Sequence, residues 1–153
     1  MTTTADAPLW IDIPNACTAV PGVCSGGRPQ PHHLRQAAER GVRTVISLCP
    51  PGESADYDEP GLVRELGMTF LNIPVAGPHD LTRANAERLA DALHAAGPDH
   101  PVLLHCGSGN RVGALVALKA FLMDGVPAAE ALQQGRMSGL TALEPFVRQQ
   151  LGV

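Results

Sequence analysis

The residues best equipped for chemistry in this 153-residue sequence stand together at 105–111, His105-Cys106-Gly107-Ser108-Gly109-Asn110-Arg111. The apolar run Pro101-Val102-Leu103-Leu104-His105 precedes them as a strand, and a second apolar run follows with helical character. A thiol at the start of such a turn faces successive backbone N–H groups and the positive end of the next helix. Both favour an anion and lower a cysteine's pKa toward the thiolate. Gly107 and Gly109 let the backbone curl with its amides inward. Gly107, Ser108, Gly109 and Asn110 then form an oxyanion cradle. Arg111 can fold back on it as a planar fork, and His105 can orient or tune the thiolate. Nucleophile, cradle and clamp together suit covalent transfer through sulfur. A nucleotide loop fits poorly, because the glycine spacing is not Gly-x-Gly-x-x-Gly and no Gly-Lys-Ser/Thr follows. Cys106 as a merely small core residue leaves the flanking His105 and Arg111 without a role.

The elements that must position this loop follow from the chain's punctuation. Residues 10–23 read as an irregular opening with short strands around Cys17-Thr18-Ala19-Val20, and Gly26-Gly27-Arg28-Pro29 reads as a turn. Pro31 opens a helix over 32–40 that Gly41 ends. Strands are predicted over 42–48, 68–75 and 101–105, and helices over 62–66, 83–96, 111–124, 127–134 and up to 150. Thr82 reads as an N-cap, and Thr141-Ala142-Leu143-Glu144 as a capping box opening the last helix. Strands alternating with helices predict a single α/β domain over 1–153, with a short, mostly parallel central sheet flanked by helices. Residues 1–10 read as a flexible start. Ligands of such sheets bind at the C-terminal strand ends, so the loops after Leu48, Val75 and His105 compete for the site.

Composition narrows the function classes. Hydrophobic residues are 44% and charged residues 17%, an ordinary globular balance. Aromatic residues are 3% and the net charge is −4, which argues against a nucleic-acid or anionic-membrane binder. Apolar runs are too short and interrupted to span a bilayer. Met1-Thr2-Thr3-Thr4-Ala5-Asp6 has no basic or apolar leader region, so a cytoplasmic location is expected. Cys17, Cys24, Cys49 and Cys106 lack zinc-ligand spacing; neither metal nor organic cofactor is expected.

Other residues carry two readings each. Cys49 ends a predicted strand at the expected edge of the site. It is either a buried residue or a resolving thiol that forms a reversible disulfide with Cys106. Arg28 and Arg136 are solvated turn arginines or substrate contacts. Glu53, Asp56, Asp58 and Glu59 form an acidic run that reads as a solvated loop or as a rim repelling polyanionic substrates, and His32 and His33 read as exposed.

The chain resembles the protein tyrosine phosphatase-like superfamily, and within it a small bacterial branch, the beta-lactamase hydrolase-like protein phosphatase-like domain. The resemblance rests on Ser25-Gly26-Gly27-Arg28-Pro29, Gly41-Val42-Arg43-Thr44-Val45-Ile46-Ser47-Leu48, Asn72-Ile73-Pro74-Val75, the His-Cys loop and Gly135-Arg136-Met137-Ser138-Gly139-Leu140-Thr141. It implies a cysteine-dependent phosphatase with Cys106 as nucleophile, Arg111 as oxyanion clamp, and a small anionic substrate or phosphoprotein as partner. Three departures bear on it. Four residues, not five, separate Cys106 from Arg111, a length similar to the active loop of rhodanese sulfurtransferases and shared by the bacterial branch. Val112 stands where phosphatases place a Ser or Thr. Ala76 and Gly77 stand where the general acid is expected, with His79 and Asp80 nearest. Asp80 is the candidate acid, or else an acid complementing the dipole of the following helix. Three readings stay open: phosphate-monoester hydrolysis, sulfur transfer through a Cys106 persulfide, and oxyanion binding without turnover.

Overall fold

The computed structural model describes residues 9–53 and 56–153; the expectation of a flexible start thus falls mostly outside the described residues, as do Ser54 and Ala55 of the acidic loop. Four strands, β1 (Val23–Gly26), β2 (Thr44–Ser47), β3 (Thr69–Asn72) and β4 (Val102–His105), form one sheet in the order β1-β4-β2-β3. All three pairings are parallel, with Ser47 opposite His105 and Gly26 opposite His105 on the other side. The central β2 and β4 are buried along their whole length, which is why they read as nearly unbroken apolar runs.

Among the described residues, six α-helices cover both faces. α1 (Pro31–Glu39) and α2 (Glu59–Glu65) lie on one side, where Leu34, Ala37 and Val63 pack with Val45 and Leu103. α3 (Arg83–Leu93), α4 (Asn110–Leu122), α5 (Ala128–Met137) and α6 (Glu144–Leu151) lie on the other, packing with Ile46 and Leu104. Buried residues run without a break along α4 from Val112 to Leu118 and resume at Ala120, the pattern of a helix enclosed on all sides. Close approach to α5 is needed there: a Cβ on Gly113 would meet the Gly135 carbonyl oxygen at 2.6 Å.

The structure corrects three local expectations. The first strand is Val23–Gly26, not a segment at 17–20; Cys17 contributes a single antiparallel bridge to Ser25. Thr141 does not cap α6. Its N–H donates to Asn110 Oδ1 instead, and Leu143 occupies the cap position. His33 is buried and accepts the Gln30 N–H on Nδ1 at 2.8 Å, so it closes the start of α1 while His32 stays exposed.

Candidate active site

The C-terminal ends of all four strands converge on the Cys106 loop. From β1, Gly26 O accepts the Cys106 N–H at 3.1 Å, and Arg28 N–H donates to Gly107 O at 3.1 Å. Asn15 Nδ2 holds Ser108 O at 2.9 Å. These bonds hold the Gly107 and Ser108 carbonyls in place. Gly109 N–H donates to Cys106 Sγ at 3.1 Å, and the thiol is wholly buried at the N-terminal end of α4. Gly109 makes the turn with φ of +100°, a left-handed conformation that a side chain would strain. Asn110 opens α4. Its side chain accepts from Thr141 and Leu143 N–H at 2.9 and 3.2 Å, tying the α5–α6 connection to the loop.

Arg111 is fixed by two elements. Its Nη1 donates to Glu53 Oε2 and to Val75 O, each at 2.9 Å, and its Nη2 donates to Glu53 Oε1 at 2.6 Å. Glu53 also accepts from Arg28 Nη2 at 3.2 Å. Hydrogen bonding from Arg111 outweighs partial burial and holds the Glu53 carboxyl below its ordinary range, and the same pairing raises Arg111 further. Val75 lies just beyond β3, at the start of the loop that carries the expected acid. There Asp80 Oδ2 accepts the Ala76 N–H at 2.9 Å and Asp80 O accepts from Asn85 Nδ2.

His105, expected to orient or tune the thiolate, has its side chain paired with the acidic loop. Its ring is completely buried, with Nε2 2.5 Å from Glu59 Oε2. The link to Cys106 runs only from Nδ1 to the main-chain oxygen, at 3.5 Å. Burial pushes the imidazole pKa down, but Cys49 and Glu59 outweigh it and raise it to about 9. Cys49 and Cys106 are both free thiols. Arg28 approaches Cys49, whereas Arg136 is paired with Glu144 at 2.7 Å on the surface.

Glu53 and Glu59 are the residues that sequence reasoning misses. The acidic run reads as solvated, yet both turn inward to the arginines and to His105. The available signal was position: a carboxylate five residues after a predicted central strand lies over the strand ends. Among the described residues, no three His, Cys, Asp or Glu side chains group to hold a metal ion.

Comparison with known proteins gives the chain a family and a fold. The sequence profile of the beta-lactamase hydrolase-like protein, phosphatase-like domain, matches residues 20–122. The chain belongs to this family. A beta-lactamase hydrolase-like protein of Xylella fastidiosa (strain Temecula1) is 32% identical over 103 residues, covering 65% of this chain. The match spans only 23% of that relative's length. Among solved structures, a DUF442 protein of Shewanella putrefaciens CN-32 superposes with a TM-score of 0.71 at 25% identity, covering 92% of this chain and 91% of that one. P. aeruginosa TpbA, solved in complex with pTyr, superposes with a TM-score of 0.68 at 18% identity, covering 94% and 89%. The fold is that of the protein tyrosine phosphatase-like phosphatases, and no helix among the described residues is long and apolar enough to cross a membrane.

Proposed function

We propose that this domain hydrolyses phosphate monoesters through a phosphocysteine on Cys106. The observation that carries the reading is the Gly109 N–H on Cys106 Sγ at the start of α4, with Arg111 from the same helix locked beside it. In the first step the thiolate attacks phosphorus; the S–P bond forms while the bond to the ester oxygen breaks. Asp80 supplies the proton that the departing oxygen needs, after releasing the Ala76 N–H that it now accepts. The loop amides and Arg111 hold the other phosphate oxygens. Water then attacks phosphorus, breaks the P–S bond and regenerates the thiolate. The pTyr bound by TpbA makes an aryl phosphate the first substrate to try.

A second reading rests on that same Asp80 contact. With the carboxylate engaged by its own loop, chemistry that needs no acid is favoured. In sulfur transfer the Cys106 thiolate attacks the outer sulfur of thiosulfate, sulfite leaves, and a thiol acceptor then takes the persulfide sulfur.

One experiment separates them. Phosphate release from an aryl phosphate and the mass of the protein after thiosulfate are measured on wild type and Cys106→Ser. Cys106-dependent phosphate release without a sulfur adduct supports hydrolysis. A Cys106-dependent gain of one sulfur with sulfite release supports sulfur transfer, and silence in both leaves oxyanion binding alone.

A further inference from the structure

The peptide unit between Ser108 and Gly109 carries the amide that meets the nucleophile. Its N–H donates to Cys106 Sγ at 3.1 Å. Its carbonyl oxygen, on the opposite edge of the same trans plane, accepts from Asn15 Nδ2 at 2.9 Å. The loop does little to hold this plane by itself. Gly107 and Ser108 are exposed, and Gly109, at φ +100°, has no side chain to restrict rotation about that angle. Beyond it the chain is committed, because Gly109 O accepts the Gly113 N–H at 2.9 Å as α4 begins. The preceding peptide is held from behind by the Arg28 N–H on Gly107 O at 3.1 Å, a main-chain support that any residue but proline supplies. The Asn15 bond is the support that one side chain provides.

Asn15 reaches the loop from an anchored segment. Ile11 and Ile13 are buried in the core with Val45 and Leu103. Pro14 O accepts the Gly27 N–H at 2.7 Å, and Cys17 exchanges two main-chain bonds with Ser25, at 2.8 and 2.9 Å. The segment thus runs along the outer edge of β1. Gly26 and Gly27 make room for it: a Cβ on Gly26 would meet Pro14 O at 2.7 Å, and one on Gly27 would meet Gly107 O at 2.9 Å. Asn15 turns at φ +55°, a left-handed conformation that Asn and Asp tolerate better than other residues with side chains. Of those two, the Asn amide donates, whereas an aspartate would set a carboxylate against the Ser108 carbonyl.

We propose that Asn15 is a positioning residue for the Cys106 site: its amide fixes the Ser108–Gly109 peptide from outside, so that the Gly109 N–H stays aimed at the sulfur and at an oxyanion bound there. Two hydrogen bonds in line through one peptide also polarise the N–H that faces the sulfur. The inference rests on the oxyanion site proposed at Cys106 and Arg111. It holds for a phosphate ester and for thiosulfate alike, since both bring negative charge to this amide.

The full chain is compared as wild type, Asn15→Gly and Asn15→Asp by amide NMR, with inorganic phosphate as titrant and chemical denaturation alongside. Asn15→Gly keeps the left-handed turn and removes the donor. Exchange of the Gly109 amide hydrogen is expected to quicken about tenfold, with Leu103 and Leu104 of β4 unchanged. Phosphate affinity is expected to fall about tenfold, while the denaturation midpoint moves little. Asn15→Asp is expected to weaken phosphate further, by adding a negative charge beside the loop. A merely structural role would lower the midpoint and speed exchange along β1 and β4 while leaving phosphate affinity intact. That pattern overturns the proposal, as does unchanged Gly109 exchange in a folded Asn15→Gly. Should Asn15→Gly fail to fold, Asn15→Asp carries the same comparison; if neither folds, Asn15 serves the fold and the proposal falls. A wild type that binds no phosphate overturns the oxyanion site itself, and Gly109 exchange then still decides the role of Asn15.

Discussion

Glu53 grips Arg111, 58 positions further along the chain, with both carboxylate oxygens, at 2.6 and 2.9 Å. The contact joins the loop after β2 to the first turn of α4 and leaves the guanidinium plane in one orientation. Replacing Glu53 by Gln removes the charge and one acceptor. Turnover of an aryl phosphate by Glu53→Gln is expected to fall about 10- to 100-fold through misorientation of Arg111, with thermal stability little changed. Steady-state kinetics beside a melting curve check this; a variant with wild-type kcat and KM would show that Arg111 needs no such brace.

Arg111→Lys keeps the charge but loses the fork. A lysine ammonium is a single point charge and lacks the planar, parallel donors with which Arg111 now serves Glu53 and Val75. A loss of about 10²- to 10³-fold in kcat is expected, the range for removing one oxyanion donor, measured against an unchanged circular dichroism spectrum.

Gly109 turns at φ +100° while its N–H points at Cys106 Sγ. Gly109→Ala places a Cβ in that left-handed conformation, at a cost of about 1–2 kcal/mol. The expected readout is a lowered denaturation midpoint, with turnover falling further than stability because the loop amides shift.

The His105 imidazole is held protonated up to about pH 9 by Cys49 and Glu59, against an ordinary value of 6.5. Its folded pKa lies above its unfolded one, so folding takes up a proton here between those values. This group's stabilisation is therefore full below about 6.5 and is lost as pH rises through 9. A side-chain NMR titration should place the midpoint near 9 in wild type and lower it in Glu59→Gln; a wild-type midpoint at 6.5 would contradict the ion pairing.

Asn110 belongs to the loop in sequence but serves its surroundings in the fold. Asn110→Ala leaves the Thr141 and Leu143 N–H groups without their acceptor, at an expected cost of about 1–3 kcal/mol. Chemical denaturation measures the loss, which should appear as a shifted midpoint with faster hydrogen exchange at 141–143.

Local chemistry in the chain was enough to determine the sheet's central strands, the sharp strand-to-helix turn and the cysteine within it. Each is encoded by neighbours: an apolar run of strand length, glycines where the chain must turn sharply, an arginine in the first turn of an apolar helix. The strand at Val23–Gly26 was not legible, because four residues ending in glycine become a strand only by pairing with β4. Nor was the fate of Thr141-x-x-Glu144, a capping pattern drawn off by Asn110 and by Arg136 and Arg148. The partners of Arg111 and His105 were decided only by the tertiary structure. Glu53 and Glu59 carry no periodic or motif signal, since their role depends on strands β2 and β4 lying side by side although 54 residues of chain separate Ser47 from Val102. The same side-by-side placement sets Cys49 against His105. Nothing in the linear pattern measures that proximity, because it is fixed by hydrogen bonds between strands rather than by distance along the chain.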